Sequence, residues 1–185
     1  VPTWLAVVSA LCAAEDPARA AGDFVRRWRA SGTPRVLSIA GSDPSGGAGI
    51  QADLKSIAAN GGYGMAVLTA LTAQNTVGVR GVHVPPATFL REQLDAISDD
   101  IVVDAVKIGM LANADVIRTV ADWLDPVRPP IVVLDPVMVA TSGDRLLDQD
   151  AEAALCSLLE RAHVVTPNLG ELAVLAGRSI SGWDD

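Results

Sequence analysis

The arrangement that most constrains this chain is a series of short apolar runs, each stopped by turn-forming residues and separated by stretches with helical spacing. Residues 36–40 stop at Gly41, residues 65–73 at Gln74-Asn75-Thr76, and residues 79–84 at Pro85-Pro86. Residues 102–108 stop at Gly109-Met110, 131–134 at Asp135-Pro136, and 163–165 at Thr166-Pro167-Asn168. Such runs read as buried strands. Among them, Ile50, Leu54, Ile57 and Ala58 recur at helical spacing, as do Phe89, Leu90, Gln93, Leu94 and Ile97. A helix over 113–124 turns Val116, Ile117, Val120 and Trp123 inward, another spans 148–161, and a last one begins near Leu169. This alternation predicts an α/β fold, an open and mainly parallel sheet with helices on both faces. Ligands of such sheets bind beyond the carboxyl ends of the strands. Gly41, Gln74, Gly109-Met110, Asp135 and Asn168 all stand at or just past such an end. Each alone is ordinary turn chemistry. Five on one edge make a site hypothesis.

The first strand leads into the loop Ser42-Asp43-Pro44-Ser45-Gly46-Gly47-Ala48-Gly49 and then into a helix. A strand, a glycine-rich loop and a helix N-terminus offer backbone N–H groups and close approach to a ligand. The loop is not a P-loop. Gly41 and Gly46 have the spacing of G-x-x-x-x-G-K-S/T, but Gly47 stands where the lysine belongs. The dinucleotide fingerprint G-x-G-x-x-G is unmatched as well. The plain alternative is a βα turn that only lets strand and helix pack closely. Asp53 follows Ile50 by one helical turn and therefore lies near the apolar stripe. A carboxylate there needs a partner, a neighbouring loop or a ligand, to offset its desolvation.

Half of the 185 residues are hydrophobic and only 4% are aromatic, so small apolar residues supply the core, as buried parallel strands require. No apolar run is long enough to span a bilayer. The net charge of −8 is uneven: residues 1–35 carry five arginines against three acids, the remainder nine basic residues against nineteen acidic ones. A body that acidic is a poor partner for nucleic acid. Cys12 and Cys156 belong to no C-x-x-C pattern and sit in apolar runs, which predicts buried free thiols and a reducing, cytoplasmic setting. His83 and His163 lack metal-ligand spacing.

The opening segment resembles a secretory signal in having an apolar stretch, but it lacks a basic n-region. Residues 4–9 read as a buried strand. Asp16-Pro17 reads as an N-cap and first helical position, and Ala20, Phe24 and Trp28 share one helical face. Residues 31–35 read as a linker.

Taken in order, AGSDPSGGAGIQADLK, TALTAQNTVGV, KIGML, VLDPVM with the nearby SGD, and TPNLGE resemble the hydroxymethylpyrimidine/phosphomethylpyrimidine kinases of thiamine biosynthesis, members of the ribokinase-like superfamily. The resemblance runs from Arg35 to Gly177 and implies a three-layer ribokinase-like domain over 36–185. It implies an aminopyrimidine pocket lined by Gly41, Asp53, Gln74, Met110 and Val137. It also implies that Asn168 and Glu171 of N-x-x-E organise ATP phosphates, with Asp135 and Glu171 facing Mg2+, in part through water. The implied reaction is ATP-dependent phosphorylation of the pyrimidine's hydroxymethyl group and then of the monophosphate. The implied partners are the aminopyrimidine and ATP, without nucleic acid or membrane, and a homo-oligomer is left open.

A second glycine-rich motif, G-T-G-C, forms the anion hole in that family and is absent from these 185 residues. The expectation is therefore a C-terminally incomplete domain with its catalytic group unassigned and most of its catalytic power missing. Residues 1–30 resemble the last strand and helix of thiamine-phosphate synthase, a TIM-barrel enzyme, so the whole reads as a piece of a bifunctional fusion. Two other functions compete: a pyrimidine-binding module without catalysis, and a kinase for a vitamin B6 aldehyde or alcohol on the same fold.

Overall fold

The computed structural model describes residues 32–138 and 151–180, together with Asp16, Ala18 and Arg19. The chain divides into two compact units, Val1–Thr33 and Pro34–Asp185. The expected strand at 4–9, the helix face of Ala20, Phe24 and Trp28, Cys12, the SGD tripeptide and the start of the helix at 148 lie outside the described residues. All strands and helices below belong to the second unit.

Its main sheet has five parallel strands: β1 (Arg35–Ala40), β2 (Tyr63–Leu68), β5 (Ala105–Ile108), β6 (Ile131–Leu134) and β7 (Val164–Val165). Their spatial order is β2-β1-β5-β6-β7. The chain moves outward from β1 to β2, then crosses back to β5 on the other side of β1. That reversal lies between β1 and β5, where a crevice opens beyond the strand ends. The sheet body starts with Pro34, whose carbonyl accepts the Tyr63 N–H at 2.7 Å. Arg35 follows in β1, its backbone N–H, Nε and Nη2 each 2.8 Å from the Asp104 carboxylate. The last two residues of the expected linker are thus part of the sheet body.

Period-two alternation divides the strands between two faces. Leu37, Ile39, Val106, Ile108, Val132 and Leu134 form one core with α2 (Ala87–Ser98), α3 (Ala114–Val127) and α4 (Glu152–Leu159). Within it Leu90, Leu94, Val116, Ile117, Val120 and Trp123 are buried. On the opposite face Ser38 points to α1 (Gly49–Ala59), giving the three layers that the sequence predicts. Phe89 differs from expectation: it stands 53% exposed, because Leu90 and Leu94 take the inward side of α2. Ala58 of α1 is exposed too. Gln93 closes the outer side of β2, accepting the Leu68 N–H at 3.1 Å and donating Nε2–H to the Leu68 carbonyl at 3.3 Å.

Three expectations need correction. The apolar run 65–73 is not one strand. It breaks at Thr69-Ala70, and β3 (Leu71–Gln74) leaves the sheet to pair antiparallel with β4 (Val79–His83) as a separate ribbon. At the break the Thr69 N–H still completes the ladder to the Ala40 carbonyl at 3.1 Å, while its Oγ1–H turns to the Met110 carbonyl at 2.6 Å. The strand at 102–108 shortens to Ala105–Ile108, since Asp104 is turned to Arg35. Cys156 is exposed rather than buried. Ala151, Leu155 and Leu158 occupy the inner face around α4, and the residue after Leu155 falls outside it. No helix among the described residues is long and apolar enough to cross a membrane.

Candidate active site

Beyond the ends of β1, β5 and β6 lies a cavity of about 690 Å³. One wall is the loop between β1 and α1. The residue that holds this loop is Asp43, 3% exposed. Its Oδ1 accepts the Ser45 N–H at 2.9 Å and the Ser45 hydroxyl at 2.7 Å. Its Oδ2 accepts the N–H groups of Gly47 at 3.0 Å and Ala48 at 2.8 Å. Burial pushes the Asp43 carboxyl up, but these bonds from Ser45, Ala48 and Gly47 outweigh it and hold it below the usual carboxylate range. The loop's N–H groups at 45, 47 and 48 are therefore taken by its own aspartate. The expectation that the loop offers them to a ligand is corrected. Gly49 has φ +55°, and a Cβ there would stand 2.3 Å from the Gly41 carbonyl oxygen, which accepts the Ile50 N–H at 3.0 Å. Only glycine can start α1 this close to β1.

Asp53, one turn into α1, is where the sequence leaves a carboxylate needing a partner. It has two. Its Oδ2 accepts the Ser38 hydroxyl at 2.6 Å and the Lys107 ammonium at 3.1 Å. Ser38 and Lys107 are directly opposite each other on β1 and β5, so both side chains rise from one face at the switch point. Lys107 did not figure among the expected site residues. Its signal was present: a lysine between the buried Val106 and Ile108 must face the other side of the sheet.

Gln74 does not stand at the edge of the main sheet, as the uninterrupted strand implied. It ends β3, opposite Val79 across an irregularity in the ribbon. It still lines the cavity, because the ribbon is tied to the loop: Thr72 N–H donates to Ser42 Oγ at 3.1 Å and Thr72 Oγ1–H to the Ser42 carbonyl at 2.7 Å. Met110 packs against Gly41 so closely that a Cβ on Gly41 would lie 2.4 Å from Met110 Cε. Val137 supplies a further apolar patch of the wall.

Acids gather beyond β6 and β7. Asp135 follows β6 directly, and Asn168 and Glu171 open α5 (Leu169–Ala176). Burial raises the Asp135 carboxyl above its ordinary value. Lys107 opposes this, Glu171 and Asp53 add to it, and a hydrogen bond from the Thr166 side chain lowers it. Glu171 is 7% exposed. It completes a capping box, accepting the Asn168 N–H at 2.9 Å while Asn168 Oδ1 accepts the Glu171 N–H at 2.9 Å. N-x-x-E thus has a structural task that sequence reasoning did not assign it. All eight expected residues, Gly41, Asp53, Gln74, Met110, Asp135, Val137, Asn168 and Glu171, line this one cavity, and Lys107 joins them. Among the described residues no three His, Cys, Asp or Glu side chains converge into a ready metal cage. Asp135 and Glu171 suit a cation that keeps water and phosphate oxygens as its other ligands, as magnesium does.

The profile of the phosphomethylpyrimidine kinase family matches residues 43–185. The chain belongs to that family. Its phosphomethylpyrimidine kinase sequence is 55% identical over 151 residues to the hydroxymethylpyrimidine/phosphomethylpyrimidine kinase of Rhizobium meliloti, covering 81% of this chain and 56% of that one. The thiamine biosynthesis multifunctional protein ThiED of Corynebacterium efficiens is 60% identical over 176 residues, 94% of this chain but 24% of its own length. That alignment takes in most of the segment before the family match. The chain thus spans from about a quarter to just over half of these relatives. A crystal structure of phosphomethylpyrimidine kinase from Clostridium difficile superposes with a TM-score of 0.77 at 43% identity, over 82% of this chain and 66% of that one. The ADP complex of Bacillus subtilis pyridoxal kinase superposes with a TM-score of 0.73 at 39% identity, over 82% and 58%. The ribokinase-like α/β architecture is shared with both.

Proposed function

We propose that this phosphomethylpyrimidine kinase domain serves ATP-dependent phosphorylation of 4-amino-5-hydroxymethyl-2-methylpyrimidine and of its monophosphate, in a cytoplasmic thiamine biosynthetic protein. The observation that supports the reading is a single cavity lined by Gly41, Asp53, Gln74, Met110 and Val137 together with Asp135, Asn168 and Glu171. In it Asp53 accepts from the exocyclic amine and Gln74 pairs with a ring nitrogen. Met110 and Val137 cover the ring. Asp135 and Glu171 would hold Mg2+ with the ATP phosphates, and Asn168 orders the start of α5 beside them. Bound Mg2+ would neutralise phosphate charge and stabilise it during transfer. The protein's part is positioning: the Met110–Gly41 contact fixes the depth of the ring, and so the place of its hydroxymethyl oxygen. Residues 1–30 extend this reading to a fusion with a synthase, since the ThiED alignment runs through most of them.

The test is ADP release by the complete fusion protein that contains these residues, with the aminopyrimidine alcohol, its monophosphate or pyridoxal, each with and without Mg2+. Turnover on both pyrimidines that needs Mg2+ and exceeds that on pyridoxal is expected. Preference for pyridoxal would move the assignment to a vitamin B6 kinase. Tight pyrimidine binding without ADP release would leave a binding module.

A further inference from the structure

We propose that Lys107 and Ser38 are positioning residues that make Asp53 a discriminator for an amino-bearing ring. The inference rests on the placement of the aminopyrimidine at Asp53 argued above. Both hydrogen bonds to Asp53 end on the same oxygen, Oδ2, at 2.6 Å from Ser38 Oγ and 3.1 Å from Lys107 Nζ. Among the described residues nothing donates to Oδ1, although Asp53 lines the cavity. A carboxylate clamped at one oxygen keeps the other in a fixed place as an acceptor. It rewards a ligand N–H and repels a ligand lone pair. A ring carrying an amine next to a ring nitrogen meets that demand; a ring with hydrogen or an acceptor there does not.

The clamp is built by the sheet. Ser38 is fully buried and pairs in register with Lys107 across β1 and β5. Gly109 leaves the room that Lys107 needs, for a Cβ on Gly109 would lie 3.0 Å from Nζ. Lys107 is also the only cationic side chain lining the cavity among the described residues. Its ammonium pairs with Asp53 Oδ2 across the switch point at 3.1 Å.

Calorimetry of the purified protein with two probes tests this, the aminopyrimidine alcohol and its analogue lacking the 4-amino group. Lys107→Met and Ser38→Ala should each weaken binding of the amino ligand by about tenfold and leave the des-amino ligand unchanged. Lys107→Arg should restore most of the discrimination. Asp53→Asn should abolish it. Equal weakening of both ligands in Lys107→Met and Ser38→Ala, with Asp53→Asn still abolishing discrimination, would overturn the clamp and leave the ring placement standing. A change in Lys107→Met confined to the KM for ATP would overturn it too, making Lys107 a phosphate contact. Discrimination unaffected by Asp53→Asn would overturn the ring placement itself and the clamp with it.

Discussion

Replacing Asp43 by alanine should destabilise the fold more than any other loop substitution near the cavity. Four donors converge on its carboxylate at 2.7–3.0 Å, three of them backbone N–H groups of the tight loop. A hydrogen bond to a charged group is worth roughly 1.5–3 kcal/mol, and bonds sharing one acceptor group do not add in full. Water would reach some of the freed N–H groups. We therefore expect a loss of about 3 kcal/mol, or roughly 6–12 °C in melting temperature for a domain of this size. Asp43→Asn should be almost as damaging. Its oxygen can still serve Ser45, but its amide would present hydrogens to the N–H groups of Gly47 and Ala48. The pH dependence has a definite sign. A carboxyl held below its ordinary value of 3.8 contributes stability that is complete above that value and lost as pH falls through the lower folded one. The gap between wild type and Asp43→Ala should thus be constant from neutral pH to about pH 5 and narrow only below the ordinary value. Urea unfolding at several pH values measures it. An Asp43→Asn protein as stable as wild type at neutral pH would show that the two-sided acceptor is not what holds the loop.

Asp53→Ala and Gln74→Ala should each weaken aminopyrimidine binding by about 1–3 kcal/mol, and calorimetry with unchanged affinity in both would remove them from the pocket. Glu171→Gln should lower turnover far more than pyrimidine affinity, because glutamine still serves the capping box but carries no charge for Mg2+; near-normal turnover across a magnesium titration would refute this. Asp135→Asn should raise the melting temperature slightly at neutral pH while lowering turnover. It removes a charge that burial and two acidic neighbours disfavour, and the gain should vanish at acidic pH, where the carboxyl is protonated; a lower melting temperature at pH 7 would refute it. Gly41→Ala should weaken ring binding, since the new methyl displaces Met110 Cε, and an unchanged Kd would mean that Met110 does not cover the ring.

What the sequence made legible was what local pattern controls. The strands at 36–40 and 131–134, the inward face of α3 and the start of α5 follow from apolar spacing and turn residues, and the structure has them there. What it hid was set by long-range partners. Nothing in the apolar run 65–73 announces a break, because the partners that hold the chain there, the Met110 carbonyl and Ser42, are distant in sequence. Asp43 read as one more turn former in a loop of glycine and serine; only its burial shows that it gathers the loop around itself. Asp53 was legible as a carboxylate in need of a partner. The identity of that partner was not, since Lys107 lies 54 residues away in the chain.

On the proposed reading, the distribution of these charges would let one cavity serve two unlike ligands. Asp43 is held by four donors of its own loop, none of them cationic. Asp53 is matched by Lys107 across the switch point. Asp135 and Glu171 remain, and among the described residues no second cationic side chain lines the wall near them. The burial of Asp135 beside Glu171 raises its carboxyl, a cost that the fold bears while no cation is bound. A polyphosphate alone would meet repulsion at that end, whereas the same polyphosphate carrying a divalent cation would relieve it. On the proposed reading the Asp53 end, where Lys107 pairs the carboxylate and Met110 packs against Gly41, would take an uncharged heterocycle without a counterion. Lys107, ion-paired to Asp53, also offsets part of the rise at Asp135, so the one lysine of the wall acts on both carboxylates and fully matches only the first.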